Sequence, residues 1–196
     1  MSERQPRPKQ SVLSIESGTS YLSLGLSVGD LSFVRVLEVG RAAAERLPAE
    51  LEALYQGAGI ALRADVIVVG TGPGSYTGLR VGASYALGLG RAWGVPVLGV
   101  PTLEALTVGP VSDGAVPDGV VAVSLDARKE HVYGAVYRLA GGVVTETIQP
   151  AAKYALADFE ALSSGLPWQR DGAPDPLVLA ANGLHHGQRE WELSYL

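Results

Sequence analysis

The stretch "DVIVVGTGPGSYTGLRVGASYALGLGRAWG", residues 65–94, constrains the fold more than any other part of the chain. Its first residues form an unbroken apolar run. A strand of that kind is covered on both faces, as in a parallel or mixed sheet sandwiched between helices. A glycine-rich turn follows, and then a long helical register, roughly Tyr76 to Trp93. Strand, glycine turn and helix in that order commonly cradle a phosphate. Position by position, this turn departs from the known phosphate patterns. No Gly-Lys-Ser/Thr follows at Walker A spacing, there is no Gly-x-Gly-x-x-Gly, and Pro73 removes an amide donor from the centre of the loop. Ser75 is not a nucleophile elbow, because Pro73 and Thr77 stand where glycines are needed. Ser75 reads instead as the helix N-cap.

Gly78, Gly82, Ala86 and Gly90 recur every fourth residue and share one stripe of that helix. An interior glycine costs about 1 kcal/mol relative to alanine, so the stripe must gain something from close approach. Two readings follow. Either the helix packs tightly on its own sheet, or one of its faces meets a second chain. Tyr76, Leu79, Ala83 and Leu87 supply apolar surface on neighbouring stripes.

The remaining pattern repeats an architecture. Strands are expected at 12–18, 21–29 and 31–39. In the second of these Leu22, Leu24, Leu26 and Val28 alternate with small residues, and Gly29-Asp30 makes a hairpin turn. A helix at 41–59 carries Leu47, Leu51, Leu54 and Tyr55 on one stripe, with Pro48 at a kink or in the first turn. A strand at 96–100 and a short helix from Thr102, read as its N-cap, complete the first half. The segment 109–119 is rich in Gly, Pro and Asp and reads as a boundary. Beyond it come strands at 120–127, 131–139 and 143–149, a helix at 154–164 and a strand at 177–181. Residues 1–11 read as a polar tail without the apolar core of a secretory signal. The expected organisation is therefore a tail (1–11), a first lobe (12–109) and a shorter second lobe (110–196). Two such α/β lobes in tandem resemble the two-lobed actin, sugar-kinase and Hsp70 (ASKHA) fold, with its second lobe abbreviated. That resemblance implies ATP held between the lobes.

The residues argue against an intact ATP site. The first hairpin of that fold resembles Asp-x-Gly-Thr, whereas this chain has Glu16-Ser17-Gly18-Thr19. The added methylene of glutamate displaces the carboxylate, which matters for magnesium's strict octahedral geometry. The second phosphate loop would begin at Asp126 but continues Ala-Arg-Lys-Glu, without the glycines that let amides approach a phosphate. Glu16, Gly18, Thr19 and Asp126 would thus form a vestigial nucleotide site. The chain has no cysteine, and His131, His185 and His186 lack metal-ligand spacing, so no metal site is expected. A net charge of −5 argues against a primary nucleic-acid binder. The least polar window, 81–100, contains Arg91 and Pro96 and many glycines, which argues against a membrane span, and a cytoplasmic protein is expected.

Residues 65–106, "SLDARKEHVYGAVY" (124–137), "ERLPAELEALYQGAG" (45–59) and the closing "ELSYL" together resemble the TsaB (YeaZ) family. The order of glycine, Pro, Ser, aromatic and Thr-Gly-Leu-Arg-x-Gly carries most of the resemblance. It implies a catalytically inactive paralogue of TsaD that binds TsaD, alongside the ATPase TsaE. That complex transfers threonylcarbamoyl to adenosine 37 of tRNA, which this subunit would contact only indirectly. The resemblance also implies a helical interface, here Leu51, Leu54, Tyr55, Tyr76, Leu79, Arg80, Gly82, Ala83 and Ala86. A homodimer is expected in isolation. No cofactor is expected for this chain alone, although a nucleotide at the junction with TsaD would fit. An active small-molecule kinase or ATPase using Glu16, Thr19 and Asp126 is the alternative, with a peptidase a distant third.

Overall fold

The computed structural model describes residues 10–108 and 118–196. The predicted boundary segment therefore lies mostly outside the described residues, as does all of the predicted tail except Gln10 and Ser11. Ser11 already belongs to a strand. Its amide and hydroxyl donate to Asp65 Oδ2 at 2.7 and 2.8 Å, fixing the first strand to the start of the fourth.

Two sheets organise the chain. The first contains β1 (Ser11–Glu16), β2 (Tyr21–Val28), β3 (Leu31–Glu38), β4 (Val66–Gly70) and β5 (Val97–Val100) in the order β3-β2-β1-β4-β5. The hairpin strands pair antiparallel, while β1, β4 and β5 run parallel. The second sheet contains β6 (Gly119–Asp126), β7 (His131–Ala140), β8 (Val143–Ala155) and β9 (Trp168–Arg170) in the order β8-β7-β6-β9. This is the two-lobed α/β architecture expected from the sequence.

Strand periodicity assigns each side chain to a layer. Leu13, Ile15, Leu22, Leu24, Leu26, Ile67 and Val69 face α1 (Ala43–Ala58) and α2 (Tyr76–Trp93) and form the largest core with Leu47, Leu51, Leu54 and Tyr55. Val12, Val66, Val68 and Val100 face the other way and pack against Leu179 and Ala180. In the second sheet Val121, Val123, Leu125 and Tyr137 pack with Leu103 and Leu106 of a short 3-10 helix, Thr102–Leu106. Its opposite face holds Phe159 of α3 (Leu156–Leu162) against Val132 and Val136.

Residues 177–181 are not a strand. They belong to α4, Pro176–His186, whose N-cap is Asp175. Asp175 Oδ1 accepts from the amides of Leu177 and Val178 at 2.8 and 3.2 Å, and Pro176 occupies the first helical turn. The parallel partner of β6 is instead β9, within the segment expected to be a loop. Helix α4 does not stay with the second sheet. Ser14 Oγ donates to Pro176 O at 2.5 Å, and Gly25 leaves room for the Pro176 ring. The small-residue face of β2 thus seats a helix from the second half of the chain.

After α4, residues 187–196 return along the exposed edge of β5. Gly99 and Gln188 exchange two backbone hydrogen bonds, at 2.9 and 3.2 Å, and Trp191 Nε1 donates to Val97 O at 3.2 Å. A capped edge is one that cannot pair with another chain. Where this strap begins, His186 Nε2 lies 2.8 Å from Glu104 Oε2 of the 3-10 helix. The hydrogen bond to Glu104 raises the His186 pKa above its ordinary value, outweighing burial, which acts in the opposite sense.

A base with a raised folded-state pKa contributes stability that is complete below its unfolded value, about 6.5, and lost as pH rises through the folded value. Unfolding by urea across that range is therefore expected to show falling stability that is shallower in a His186→Gln variant. Equal slopes in the two proteins would show that the pair contributes nothing.

Candidate functional site

A cleft of about 860 Å³ opens between the two sheets. The β1–β2 turn contributes Gly18 and Thr19, and the start of α2 contributes Gly74, Ser75 and Tyr76. Asp126, Arg128, Tyr133, Arg170 and Asp171 line the opposite side, with Arg41 at the β3–α1 turn. Three of the four expected nucleotide-site residues, Gly18, Thr19 and Asp126, therefore meet here.

The fourth, Glu16, does not. Its side chain is fully buried and turned into the first lobe. Oε1 accepts from the Gly18 amide and Oε2 from the Thr102 hydroxyl at 2.7 Å. Thr102 Oγ1 in turn accepts from the Gly72 amide at 3.0 Å. Thr102 is therefore a link in this network, and the N-cap position of its helix falls to Pro101 without a side-chain cap. Desolvation raises the Glu16 pKa, partly countered by these hydrogen bonds. A Cβ at Gly70 would coincide with Glu16 Oε2, so the first glycine of the loop makes room for a carboxylate of the same chain.

On the far side, Asp126 Oδ1 accepts from the Arg128 amide at 2.9 Å, and the Asp126 amide donates to Asp171 Oδ1 at 2.6 Å. Arg128, Lys129 and Glu130 all have left-handed backbone, with φ of 64°, 52° and 57°. Glycine normally fills such positions in a phosphate loop, and here three long side chains project from them. Among the described residues no three His, Asp or Glu side chains gather as a metal site.

The remaining loop glycines also serve the chain itself. A Cβ at Gly74 or Gly78 would collide with the carbonyl of Gly18 or Ser17. One at Gly82 would stand 2.5 Å from Ser17 Oγ, and one at Gly72 2.5 Å from Ser194 O of the strap. Gly78 and Gly82 of the stripe are thus the seat of the β1–β2 turn, while Gly90 makes room for Val97.

This corrects most of the expected interface. Leu51, Leu54, Tyr55, Leu79, Gly82, Ala83 and Ala86 are buried within this chain, so they cannot line its surface. Tyr76 and Arg80 are exposed. The open face of α2 runs through Tyr76, Arg80, Ser84, Leu87, Gly88 and Arg91. Tyr76 is 55% and Leu87 52% exposed, unusual for large apolar side chains on one face. Arg80 Nη1 donates to Tyr76 Oη at 2.6 Å, and the Tyr76 ring packs on Tyr195, 4.8 Å between centroids. Sequence reasoning passed over Ser84, Gly88 and Arg91, although their three- and four-residue spacing after Arg80 marks a common face. Nothing local signalled Tyr195, which arrives through the strap.

Comparison with known proteins agrees with this architecture. Residues 37–185 match the family model described as TsaD, tRNA N6-adenosine threonylcarbamoyltransferase. Uncharacterized proteins of Mycobacterium tuberculosis and Mycobacterium bovis are 36% identical over 182 residues, 87% of this chain and 83% of theirs. YeaZ from Pseudomonas aeruginosa shares the fold at a TM-score of 0.76 and 22% identity, over 95% of this chain and 100% of its own. A protein described as similar to peptidase YEAZ from the same organism gives a TM-score of 0.79 at 24% identity, over 95% and 99%.

The contacts at the two kinds of glycine predict opposite outcomes. Gly78→Ala drives a methyl into the Ser17 carbonyl and is expected to destabilise by about 1–3 kcal/mol. Gly88 has nothing within 4 Å of a Cβ, so Gly88→Ala is expected to stabilise by about 0.5–1 kcal/mol. Urea unfolding of both variants checks the pair, and a neutral Gly78→Ala would refute the seat.

Proposed function

The chain belongs to the TsaD family, and on that premise we propose that it is the YeaZ (TsaB)-type, non-catalytic subunit of tRNA threonylcarbamoyladenosine synthesis. In this reading it binds TsaD and activates threonylcarbamoyl transfer to adenosine 37, with TsaE supplying the ATPase and tRNA held by the partners. The observation that carries it is Glu16. A carboxylate at the metal-positioning point of an ATPase of this fold would face the cleft, whereas here it is buried in hydrogen bonds to Gly18 and Thr102. An active kinase or ATPase would require that side chain to leave its own core. The peptidase reading has no support from the side-chain geometry of the cleft.

The partner surface in this reading is the open face of α2, not the buried residues beneath it. Exposed Tyr and Arg side chains are typical anchors of protein interfaces. That face also carries Arg80 and Arg91 and no carboxylate, so a complementary surface would present acidic groups. In isolation the same face would support a homodimer. No helix among the described residues is long and apolar enough to cross a membrane, and a cytoplasmic location follows from the proposed role.

Co-purification with TsaD tests this directly. Wild-type chain is expected to retain TsaD and to stimulate threonylcarbamoylation of tRNA with TsaE present. Arg80→Glu combined with Leu87→Asp is expected to abolish both while the circular dichroism spectrum is preserved, because both positions are exposed. Unimpaired binding by the double variant would move the interface elsewhere. A wild-type chain without effect on TsaD would end the proposal.

A further inference from the structure

The two edges of the first sheet differ. The strap covers β5, whereas β3 has no backbone partner on its outer side among the described residues. Gly29-Asp30 is a two-residue turn, so Leu31, Phe33, Arg35 and Leu37 exchange hydrogen bonds with β2. The same register continues to Val39, whose amide donates to Ser20 O at 2.9 Å. The amides and carbonyls of Ser32, Val34 and Val36 therefore point outward. The edges of the second sheet are blunted: β9 has three residues, and β8 carries Pro150, Lys153 and shifts of register. β3 has eight residues in unbroken register, without proline or lysine, and Leu31 and Val34 are 62% and 43% exposed. An edge of this kind accepts a further strand.

The side chains beside that edge select the strand. On the α1 face, Arg35 Nε donates to Glu50 Oε2 at 2.7 Å and Arg46 Nη2 to Oε1 at 2.5 Å. Two guanidiniums share one buried carboxylate, and neither has another acidic partner among the described residues. One positive charge beside β3 is left uncancelled. Phe33 and Leu37 flank Arg35 on the same face. A second β3 laid antiparallel would bring only Leu31, Phe33, Arg35 and Leu37 to that face, so another copy of this strand supplies no acid. The chain already holds one pairing of the required kind, Arg138 of β7 with Glu146 of β8 across the ladder at 2.7 Å.

We infer that the β3 edge takes an extended segment of another protein, in which a carboxylate stands beside Arg35 and apolar side chains follow two residues to either side. Main-chain hydrogen bonds to Ser32, Val34 and Val36 supply the affinity, and the carboxylate sets the register. Arg35 faces outward as a non-hydrogen-bonded pair, the kind in which opposing side chains come closest. The edge shares no residue with the open face of α2 or with the cleft, so the inference is independent of TsaD binding.

Amide NMR of the isotope-labelled full chain tests it, with an acetylated and amidated probe peptide of sequence Ser-Val-Thr-Glu-Thr-Val-Ser. Shifts are expected at Ser32, Val34 and Val36. The counterpart with Gln in place of Glu is expected to bind about fivefold more weakly, the upper value for a cross-strand ion pair. A counterpart with proline in place of both threonines keeps the charge and the apolar groups but cannot join a ladder, and is expected not to bind. Arg46→Gln leaves Glu50 paired with Arg35 and is expected to abolish the preference for Glu over Gln, with the spectrum of the free chain otherwise preserved. Shifts at β3 that grow with the concentration of the chain alone would assign the edge to a second copy. That result, binding of the proline peptide, equal binding of the Gln peptide, a preference for Glu that survives in Arg46→Gln or no shift at millimolar peptide would each overturn the inference.

Discussion

The backbone of Ser17 and Gly18 rests directly on the first turns of α2, and much of the first lobe depends on that approach. The Ser75 amide donates to Gly18 O at 2.6 Å, and Ser17 Oγ donates to Gly78 O at 2.9 Å. Side chains on α2 would hold the two apart, so the helix gives up propensity at Gly78 and Gly82 to allow the contact. Once the turn is seated, Glu16 is carried inward over Gly70, where Thr102 and the backbone of Ser17 and Gly18 satisfy it. One close approach therefore ties β1, the glycine loop, α2 and the 3-10 helix together.

That geometry also fixes where the Glu16 carboxylate can act. A buried carboxylate must be hydrogen-bonded, and Glu16 meets that need within its own lobe. The longer side chain of glutamate is what lets the carboxylate reach Thr102 rather than the cleft. On the opposite wall the left-handed run Arg128-Lys129-Glu130 replaces flexible glycine with charged side chains.

The periodic elements were legible in the sequence because burial enforces their pattern. Alternation in Leu22, Leu24 and Leu26, the apolar run of β4 and the small-residue register of α2 each reflect a layer that packs. Ser75 as N-cap was legible because capping is local. Helix α4 was misread as a strand because "LVLAA" is buried against a sheet and shows no amphipathic period, although Asp175-Pro176 was a usable cap signal. Strand β9 has only three residues and exists because β6 offers it an edge. The buried interface residues were misassigned for a related reason. A stripe of small residues reports a close backbone, and only the tertiary structure reveals that this backbone belongs to the same chain.

Tyr76 then acquires a particular position. It lines the cleft, accepts a hydrogen bond from Arg80 and packs on Tyr195 of the strap. The strap is held along its length by Gln188 on Gly99, by Trp191 on Val97 and by Ser194, whose amide donates to Thr71 O at 2.8 Å in the glycine loop. The cleft and the open face of α2 thus share one side chain and one supporting segment. Groups that share a partner do not contribute additively. A displacement of Tyr76 in the cleft therefore also disturbs Arg80 and Tyr195 on the exposed face.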